Sequence, residues 1–348
     1  MDRPSTSVQS SYRGLIHEDP ETAGHVVRRG GLARHGAVNS FRDELTAALP
    51  SDALEKLKQA GRIAADAREA GARRITAGAK VRDVCVAVED EIHRRGAHLA
   101  FPVQSSRNHV AAHYCPSPED DTTYADGDLA KLDIGVHVDG WVVDTALTVN
   151  VGDREENRPL VRAAEEALRA AIAELAPGVE VRALSAAIQR TVSSFGFRPV
   201  RNLCGHGVGR WTVHCAPPIP NVPDAATTRL PLHAVVAIEP FATDGLGFVR
   251  EEGLAEVFRL PPENEDVPDV ADVDAGLIAA IRSFRGLPFA RRQLSAFPRP
   301  VVERTLATLR EQGRLAAYPP LAETTGQRVA QAEHTVYVGT EGVVVLTR

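Results

Sequence analysis

The sequence predicts an α+β protein built from two related halves, each a pair of helices laid on part of an antiparallel sheet. Three observations support this fold class. Apolar residues recur at helical spacing in paired stretches, strand-like apolar runs follow each pair, and one segment repeats after 100 residues. With 348 residues, 43% of them hydrophobic, the chain can bury a large core.

The first helix pair is predicted between Pro50 and Gly96. Apolar residues at helical spacing mark its first helix: Leu54, Leu57, Ala60, Ala64 and Ala67. A second stripe, which Gly96 ends, consists of Val81, Val84, Cys85, Val88 and Ile92.

A second pair repeats this pattern. The segment AGAKVRDVCVAVEDEIHRRG from Ala77 aligns with PGVEVRALSAAIQRTVSSFG from Pro177, and each is preceded by another Ala- and Leu-rich stretch. Two unrelated amphipathic helices with a glycine stop would give a similar match by chance. Duplication is favoured because each half also ends in candidate carboxylate ligands.

The chain divides into two predicted parts. Residues 1–45 lack any sustained period and are rich in Ser, Gly and Arg, which indicates a flexible extension. Residues 46–348 form one folded domain. Within it, about 257–318 is predicted to be a small helical insertion, since the acidic, Pro-rich PPENEDVPDV is followed by two helical stretches.

Composition argues against several classes of protein. The net charge is −6, with no long basic tract, so nucleic acid is not an expected partner. The sequence contains no run of about 18 apolar residues, so it predicts no membrane span. The four cysteines form no CxxC pair, which disfavours a zinc knuckle or a disulfide framework and favours the cytoplasm.

Charged residues within or beside apolar, strand-like runs are the main candidate site. They are Asp133, Asp144, His206, Glu239 and Glu333. A buried, unpaired carboxylate costs several kcal/mol, so a metal or a dense hydrogen-bond network must compensate it. Two divalent cations would balance four carboxylates, and a histidine supplies the nitrogen ligand common in hydrolytic sites.

The first two acids can be placed relative to each other. Asp139-Gly140 between two β-type runs is a hairpin turn signal, and this turn pairs Asp133 with Ala146. Asp133 and Asp144 then point to the same face, where they would share a cation. The alternative is that one caps a turn and the other is solvated.

The remaining candidates are less specific when each is taken alone. His206 lies in Gly-His-Gly, which gives access to its ring, whereas His214 is expected to reach the substrate rather than the metal and His113 to be a polar group at the rim of the site. Glu239 and Glu333 lie at strand ends and have an alternative interpretation as surface residues. The joint pattern of all five candidate ligands favours a metal site.

Five motifs together resemble one known family. They are FPVQSSRNHVAAHYCPSPEDD, LDIGVHVDGWVVDTALTV, NLCGHGVGRWTVHCAPPIPN, VVAIEPFATDG and AQAEHTVYV. These are similar to the motifs of type II methionine aminopeptidases, and the resemblance extends from about Asp43 to the C-terminus. It implies the pita-bread fold, a pseudo-twofold antiparallel sheet covered by two helix pairs, with residues 257–318 as a winged-helix-like insertion.

The resemblance also implies a ligand set and a cofactor. Two divalent metal ions, Co, Mn, Fe or Zn, would be bound in the catalytic domain. Asp133 would bind one ion, and His206 and Glu239 would bind the other. Asp144 and Glu333 would bridge the two.

The implied reaction is hydrolysis of the N-terminal peptide bond of peptides or nascent chains by a monomeric enzyme. Glu239 would move the proton, His214 would stabilise the oxyanion, and His113 would hydrogen-bond the amide nitrogen. The residues corresponding to the family's methionine pocket are Phe101 and Tyr318.

Three residues depart from the family pattern. Gly207 and Trp211 stand where Ser and Tyr are common, and Gln104, expected in a loop beside the pocket, replaces a smaller residue or Asn. A pita-bread hydrolase acting on an Xaa-Pro peptide or a specialised metabolite is therefore an alternative. A non-catalytic binding protein is disfavoured because all five ligand candidates are present.

Overall fold

The computed structural model describes residues 49–264 and 274–348, so the predicted extension over residues 1–45 lies outside the described residues. Within the described ranges, no helix has the length and apolar composition needed to cross a bilayer. The helices of this part are α1 Ala53–Ala72, α2 Val81–Arg94, α3 Arg158–Ala173, α4 Val181–Ser194, α5 Ala275–Ser283 and α6 Arg299–Glu311.

Strands of 2 to 10 residues follow and separate these helices. In chain order they are β1 His98–Arg107, β2 Val110–Ala112, β3 Leu129–Val138, β4 Trp141–Asn150, β5 Arg198–Pro199, β6 Cys204–Gly209, β7 Thr212–Pro220, β8 Val235–Ile238, β9 Phe241–Thr243, β10 Val249–Glu251, β11 Val257–Arg259, β12 Phe289–Ala290, β13 Ala316–Tyr318, β14 Leu321–Glu323, β15 Val329–Gln331, β16 His334–Gly339 and β17 Gly342–Val345.

The strands pair antiparallel throughout. The first half has the order β1-β3-β4, and the second half has the five-stranded order β17-β16-β8-β6-β7. Two further three-stranded sheets have the orders β10-β14-β2 and β15-β9-β5, and the sheet β12-β11-β13 lies within the stretch 257–318. The predicted α+β architecture is therefore confirmed.

The internal repeat is visible in backbone hydrogen bonds. The Gly78 N–H donates to Tyr124 O at 2.8 Å, and the Gly178 N–H donates to Leu230 O at 2.8 Å. Helices α2 and α4 both span 14 residues, and each is followed by a glycine of positive φ, at 79° for Gly96 and 83° for Gly196. A shared glycine stop alone would not reproduce the loop contacts, so the structure favours duplication over chance.

Each half buries the helix stripe that its sequence predicts. Leu57, Ala60, Ala64 and Ala67 of α1 are buried against β3 and β4, whereas Leu54 is only partly buried. Full burial of one such leucine stabilises the fold by about 1.5–3 kcal/mol. Helices α3 and α4 cover the second sheet with a separate core cluster.

The stretch 257–318 has its own hydrophobic cluster, which includes Phe258, Leu277, Phe289 and Leu306. It contains the two predicted helices, α5 and α6, and also a three-stranded sheet. Strands β11 and β12 are too short to show a periodic pattern, which is why they were missed.

A buried ion pair fastens this stretch to the first half. The Arg292 guanidinium contacts the Glu89 carboxylate of α2 and also donates to Val103 O at 3.1 Å. Glu89 in turn accepts the Val103 N–H at 3.0 Å. Both side chains are about nine-tenths buried, with 7% and 10% exposure.

Arg292→Met is expected to lower the free energy of unfolding by about 3–5 kcal/mol, because it leaves the Glu89 charge buried without its partner. Denaturant unfolding would measure this loss. Arg299→Met is the matched control, since the pair between Arg299 and Glu303 is exposed and screened by solvent, so its loss should change the stability little. Equal losses in the two variants would contradict the role assigned to Arg292.

Candidate metal centre

Five separate segments converge on one point between the halves. Asp133 lies in β3, Asp144 in β4 and His206 in β6, while Glu239 follows β8 and Glu333 precedes β16. Asp144, His206 and Glu333 place ligand atoms within 4.8 Å of one another. His206 Nε2 lies 3.7 Å from Asp144 Oδ2 and 3.6 Å from Glu239 Oε1.

The hairpin register is the predicted one. Val138 pairs with Trp141, and Asp133 pairs with Ala146. Asp139 and Gly140 form the two-residue turn with φ of 50° and 81°, the positive values that a type I′ turn requires. The Asp133 and Asp144 side chains consequently lie side by side and share a hydrogen bond.

Threonines join the two halves behind this cluster. Thr335 Oγ1 accepts the Asp144 N–H at 2.7 Å and donates to Asp144 O at 2.8 Å. Thr145 Oγ1 donates to Glu333 O at 2.9 Å, and the Glu333 N–H donates to Ala146 O at 2.9 Å. The backbone of Asp144 is thereby fixed against the segment that carries Glu333.

The four carboxyl groups have few hydrogen-bond partners in the part of the chain that the structure describes. Burial raises the pKa of Asp133 to about 7. Burial, reinforced by the neighbouring acids, raises the pKa values of Asp144, Glu239 and Glu333 well above the usual range. Asp133 Oδ1, Asp144 Oδ1 and Glu333 Oε1 are buried and have no hydrogen-bond partner among the described residues.

These carboxylate and imidazole groups are suited to bind a divalent metal ion. Unpaired carboxylate oxygens of this kind are rare in native proteins unless a cation or water binds them. His206 completes the set as a neutral imidazole, because burial lowers its pKa to about 4. Its Nδ1 lies 3.1 Å from Gly207 O, so Nδ1–H donates there and Nε2 is left facing the carboxylates.

Two further histidines face the same cavity. The His214 ring lies 4.1 Å from that of His206, centroid to centroid, and burial lowers the pKa of His214 well below its usual range. Burial likewise lowers the pKa of His113 to about 4. His113 has a φ of 66°, a strained backbone of the kind that clusters at functional sites.

Aromatic side chains form one wall of the cavity. Phe101 packs on Gly135, where a Cβ would lie 2.3 Å from the ring, so this glycine makes room for the aromatic group. Tyr318, at the end of β13, lies 6.2 Å from His113 between ring centroids. The cavity is lined by Phe101, Gln104, Ala112, His113, Asp133, Asp144, Leu203, Cys204, His206, Val213, His214, Glu239, Phe241, Val257, Pro288, Tyr318, Leu321 and Glu333.

Every site residue predicted from the sequence therefore lies at one cavity, but two neighbours were missed. Gln331 is buried, hydrogen-bonds Asp133 and donates to Glu239 Oε2 at 3.5 Å. Arg68 of α1 is buried and donates to Thr145 Oγ1 at 2.5 Å. Gln331 stands two residues before Glu333 in the same apolar run, and this position could have indicated a site residue. Arg68 lies in an ordinary helix, and nothing in its sequence surroundings indicates a role at the site.

The departures from the family pattern have local explanations. At Gly207 a Cβ would lie 2.4 Å from Ala216 O, so the adjacent backbone of β7 excludes a side chain. Trp211 packs against Gly140 and His137 and lies under the Arg285 guanidinium at 3.9 Å. Gln104 lies in strand β1, so the expected loop position is wrong; the strand is interrupted only by register shifts.

Similarity to known proteins also indicates a metal-dependent peptidase. A model of metallopeptidase family M24 matches residues 55–339. The methionine aminopeptidase of Archaeoglobus fulgidus is 38% identical over 301 residues, which cover 86% of this chain and 100% of that protein. That of Thermococcus kodakarensis is 42% identical over 299 residues, with 85% and 100% coverage.

A solved structure shares the fold. The crystal structure of methionine aminopeptidase from Thermotoga maritima aligns with a TM-score of 0.64 at 24% identity, covering 87% of this chain and 99% of that one. At this identity the likeness concerns the fold alone, which is the pita-bread fold. The sequence match and the carboxylate–histidine cluster together show that this chain belongs to metallopeptidase family M24.

Proposed function

We propose that this protein is a dinuclear metal-dependent aminopeptidase that removes N-terminal methionine from peptides or nascent proteins. The observation that carries the proposal is the convergence of four carboxyl groups and one neutral histidine on one cavity, where Asp133, Asp144 and Glu333 each have a buried oxygen without a hydrogen-bond partner among the described residues. The identity of 38–42% to methionine aminopeptidases over their whole length supports the substrate.

The finer assignment is to the type II enzymes. It is supported by the stretch 257–318, which we propose to be an insertion in the catalytic domain because it has its own core and sheet. We also propose a cytoplasmic location, which the four free thiols favour. A monomeric state stays a prediction that light scattering would test.

We assign two metal ions to the five candidate ligands. Asp133 hydrogen-bonds Asp144, and His206 Nε2 lies 3.7 Å from Asp144 Oδ2. Asp133 would hold one ion, His206 and Glu239 would hold the other, and Asp144 and Glu333 would contribute to both. When bound, the ions would supply a water of lowered pKa and polarise the carbonyl oxygen of the substrate, and Co, Mn, Fe and Zn are all compatible with these ligands.

The protein groups would then divide the proton transfers. Glu239 is suited to accept a proton and return it to the leaving amine, because its carboxyl group lines the cavity beside His206. His214 and His113, both uncharged by virtue of their lowered pKa values, would hydrogen-bond the carbonyl oxygen and the amide nitrogen. Phe101 and Tyr318 would contact the methionine side chain.

A peptide panel tests the function. The protein, loaded in turn with Co, Mn, Fe and Zn, is expected to cleave Met-Gly and Met-Ala peptides and to leave Leu-Gly and Xaa-Pro peptides largely intact. N-acetylated Met-Ala and metal-free protein are the controls, and neither should give product. Cleavage confined to Xaa-Pro peptides would replace this proposal by the alternative substrate class.

A further inference from the structure

Gln104 lies beside the metal centre but takes part in none of the interactions described above. In the β1–β3 register it pairs directly with Asp133. Directly paired residues of antiparallel strands point to the same face, so the carboxamide and the Asp133 carboxylate lie next to each other. Gln104 is 6% exposed and lines the cavity together with Phe101 and Tyr318.

The carboxamide oxygen of Gln104 is unsatisfied. Oε1 is buried and accepts no hydrogen bond from any residue in ranges 49–264 and 274–348. A buried amide without partners costs free energy, and native proteins leave few such groups unless a ligand or water binds them. Asp133 hydrogen-bonds Gln331 and Asp144 instead, so the neighbouring carboxyl does not meet this need.

The chemistry of the site selects the missing partner. An oxygen acceptor beside an acidic ligand calls for an N–H donor, and a peptide substrate brings few donors to this position. The methionine thioether donates no hydrogen bond, and it belongs with the aromatic wall. The free α-amino group has N–H donors and, under the proposed function, is the group that distinguishes a chain end from an internal peptide bond.

We propose that Gln104 is a specificity-determining residue that accepts a hydrogen bond from the substrate α-amino group. The inference rests on the proposed function. This role explains why a long amide side chain is compatible with the pocket. Gln104 does not contact the methionine side chain but hydrogen-bonds the α-amino group beside Asp133. Substrates with an acylated terminus are rejected at this point, because the acyl group fills the space in front of the carboxamide.

The test is binding of two small probes to the metal-loaded protein by calorimetry. One probe is L-methionine, and the other is 4-(methylthio)butanoate, which lacks only the amino group. Gln104→Met, similar in size but unable to accept a hydrogen bond, is expected to weaken L-methionine binding about tenfold, which corresponds to about 1.4 kcal/mol. Binding of the deaminated probe should change by less than about twofold. This probe has no amino group to donate a hydrogen bond, so it makes no such bond to residue 104 in the wild-type protein or in the variant.

A second variant separates recognition from packing. Gln104→Glu keeps the shape and the acceptor oxygens, so it is expected to bind L-methionine more tightly than Gln104→Met does. In turnover of Met-Ala, Gln104→Met should raise KM more than it lowers kcat, because binding is lost before the chemical step. Thermal unfolding of each variant checks that the fold is retained.

The outcomes are distinguishable. If Gln104→Met weakens both probes equally, or neither, while the wild-type protein binds L-methionine and cleaves Met-Ala, the role of Gln104 is overturned and the proposed function stands. If the wild-type protein binds neither probe and cleaves no Met-peptide, the proposed function itself fails.

Discussion

Glu239→Gln is expected to lower kcat/KM for Met-Ala peptides by about 10²–10⁴-fold, the usual contribution of general acid–base catalysis. The amide has nearly the shape of the carboxyl group, but it cannot take up a proton and it is a weak metal ligand. His206 Nε2 lies 3.6 Å from Glu239 Oε1, so the change also removes one charged ligand beside the imidazole. Steady-state kinetics in saturating metal would measure the loss.

Folding of this variant provides the control. Because burial raises the pKa of Glu239, its carboxyl is costly to ionise in the metal-free protein, and an uncharged amide should not reduce stability. Gln331 can still donate to the amide oxygen. Glu252→Gln, at an exposed glutamate, is the matched variant with no expected effect on activity. Near-normal turnover of Glu239→Gln in excess metal would refute the assigned role.

The second large effect is a stability difference between metal-loaded and metal-free protein that grows with pH. In the metal-free protein the pKa of Asp133 is raised from 3.8 to about 7 by burial, and burial and mutual repulsion also raise the pKa values of Asp144, Glu239 and Glu333. The folded state therefore binds more protons than the unfolded state. The corresponding stabilisation is full below the unfolded pKa of about 4 and is lost as pH rises through about 7.

Metal binding reverses this trend, because the cations replace protons on the same oxygens and bind better as pH rises. The melting temperature of metal-free protein is expected to fall between about pH 5 and pH 8, while that of the loaded protein falls less or rises. Scanning calorimetry at matched ionic strength would measure both curves.

His206→Ala distinguishes the two contributions. The His206 imidazole has a pKa lowered to about 4 by burial, so it stays neutral across this range and adds no slope of its own. The variant should keep the pH dependence of the metal-free protein and lose most of the stabilisation by metal. A metal-free protein that is more stable at about pH 8 than at about pH 5 would contradict the carboxylate account.

The hairpin shows how far local sequence determines the site. Asp133 and Asp144 are 11 residues apart, and the turn chemistry of Asp139-Gly140 sets the register between them. Helix α2 and its repeat α4 were predictable for the same reason, since apolar spacing and a glycine stop act within a few residues. None of these predictions depends on what packs against the segment.

Contacts between distant segments were not predictable in this way. Arg292 and Glu89 are 203 residues apart, and neither stands out in its own segment. The loop position expected for Gln104 was wrong because Gln104 pairs with Asp133 of β3, a contact between two segments that neither segment shows by itself. Gln331 was overlooked because an amide in a strand acquires meaning only from the two acids placed beside it.

The sequence by itself determined the α+β class, the repeat, the hairpin and the residue types suited to bind metal, because periodicity and turn chemistry act over a few neighbouring residues. Only the tertiary structure brought Asp144 and Glu333 together through Thr145 and Thr335. It alone also decided which carboxyl and amide oxygens are buried without hydrogen-bond partners among the described residues. Desolvation depends on everything packed around a group, so the shifted pKa values and the unpaired Gln104 oxygen are properties of the folded molecule.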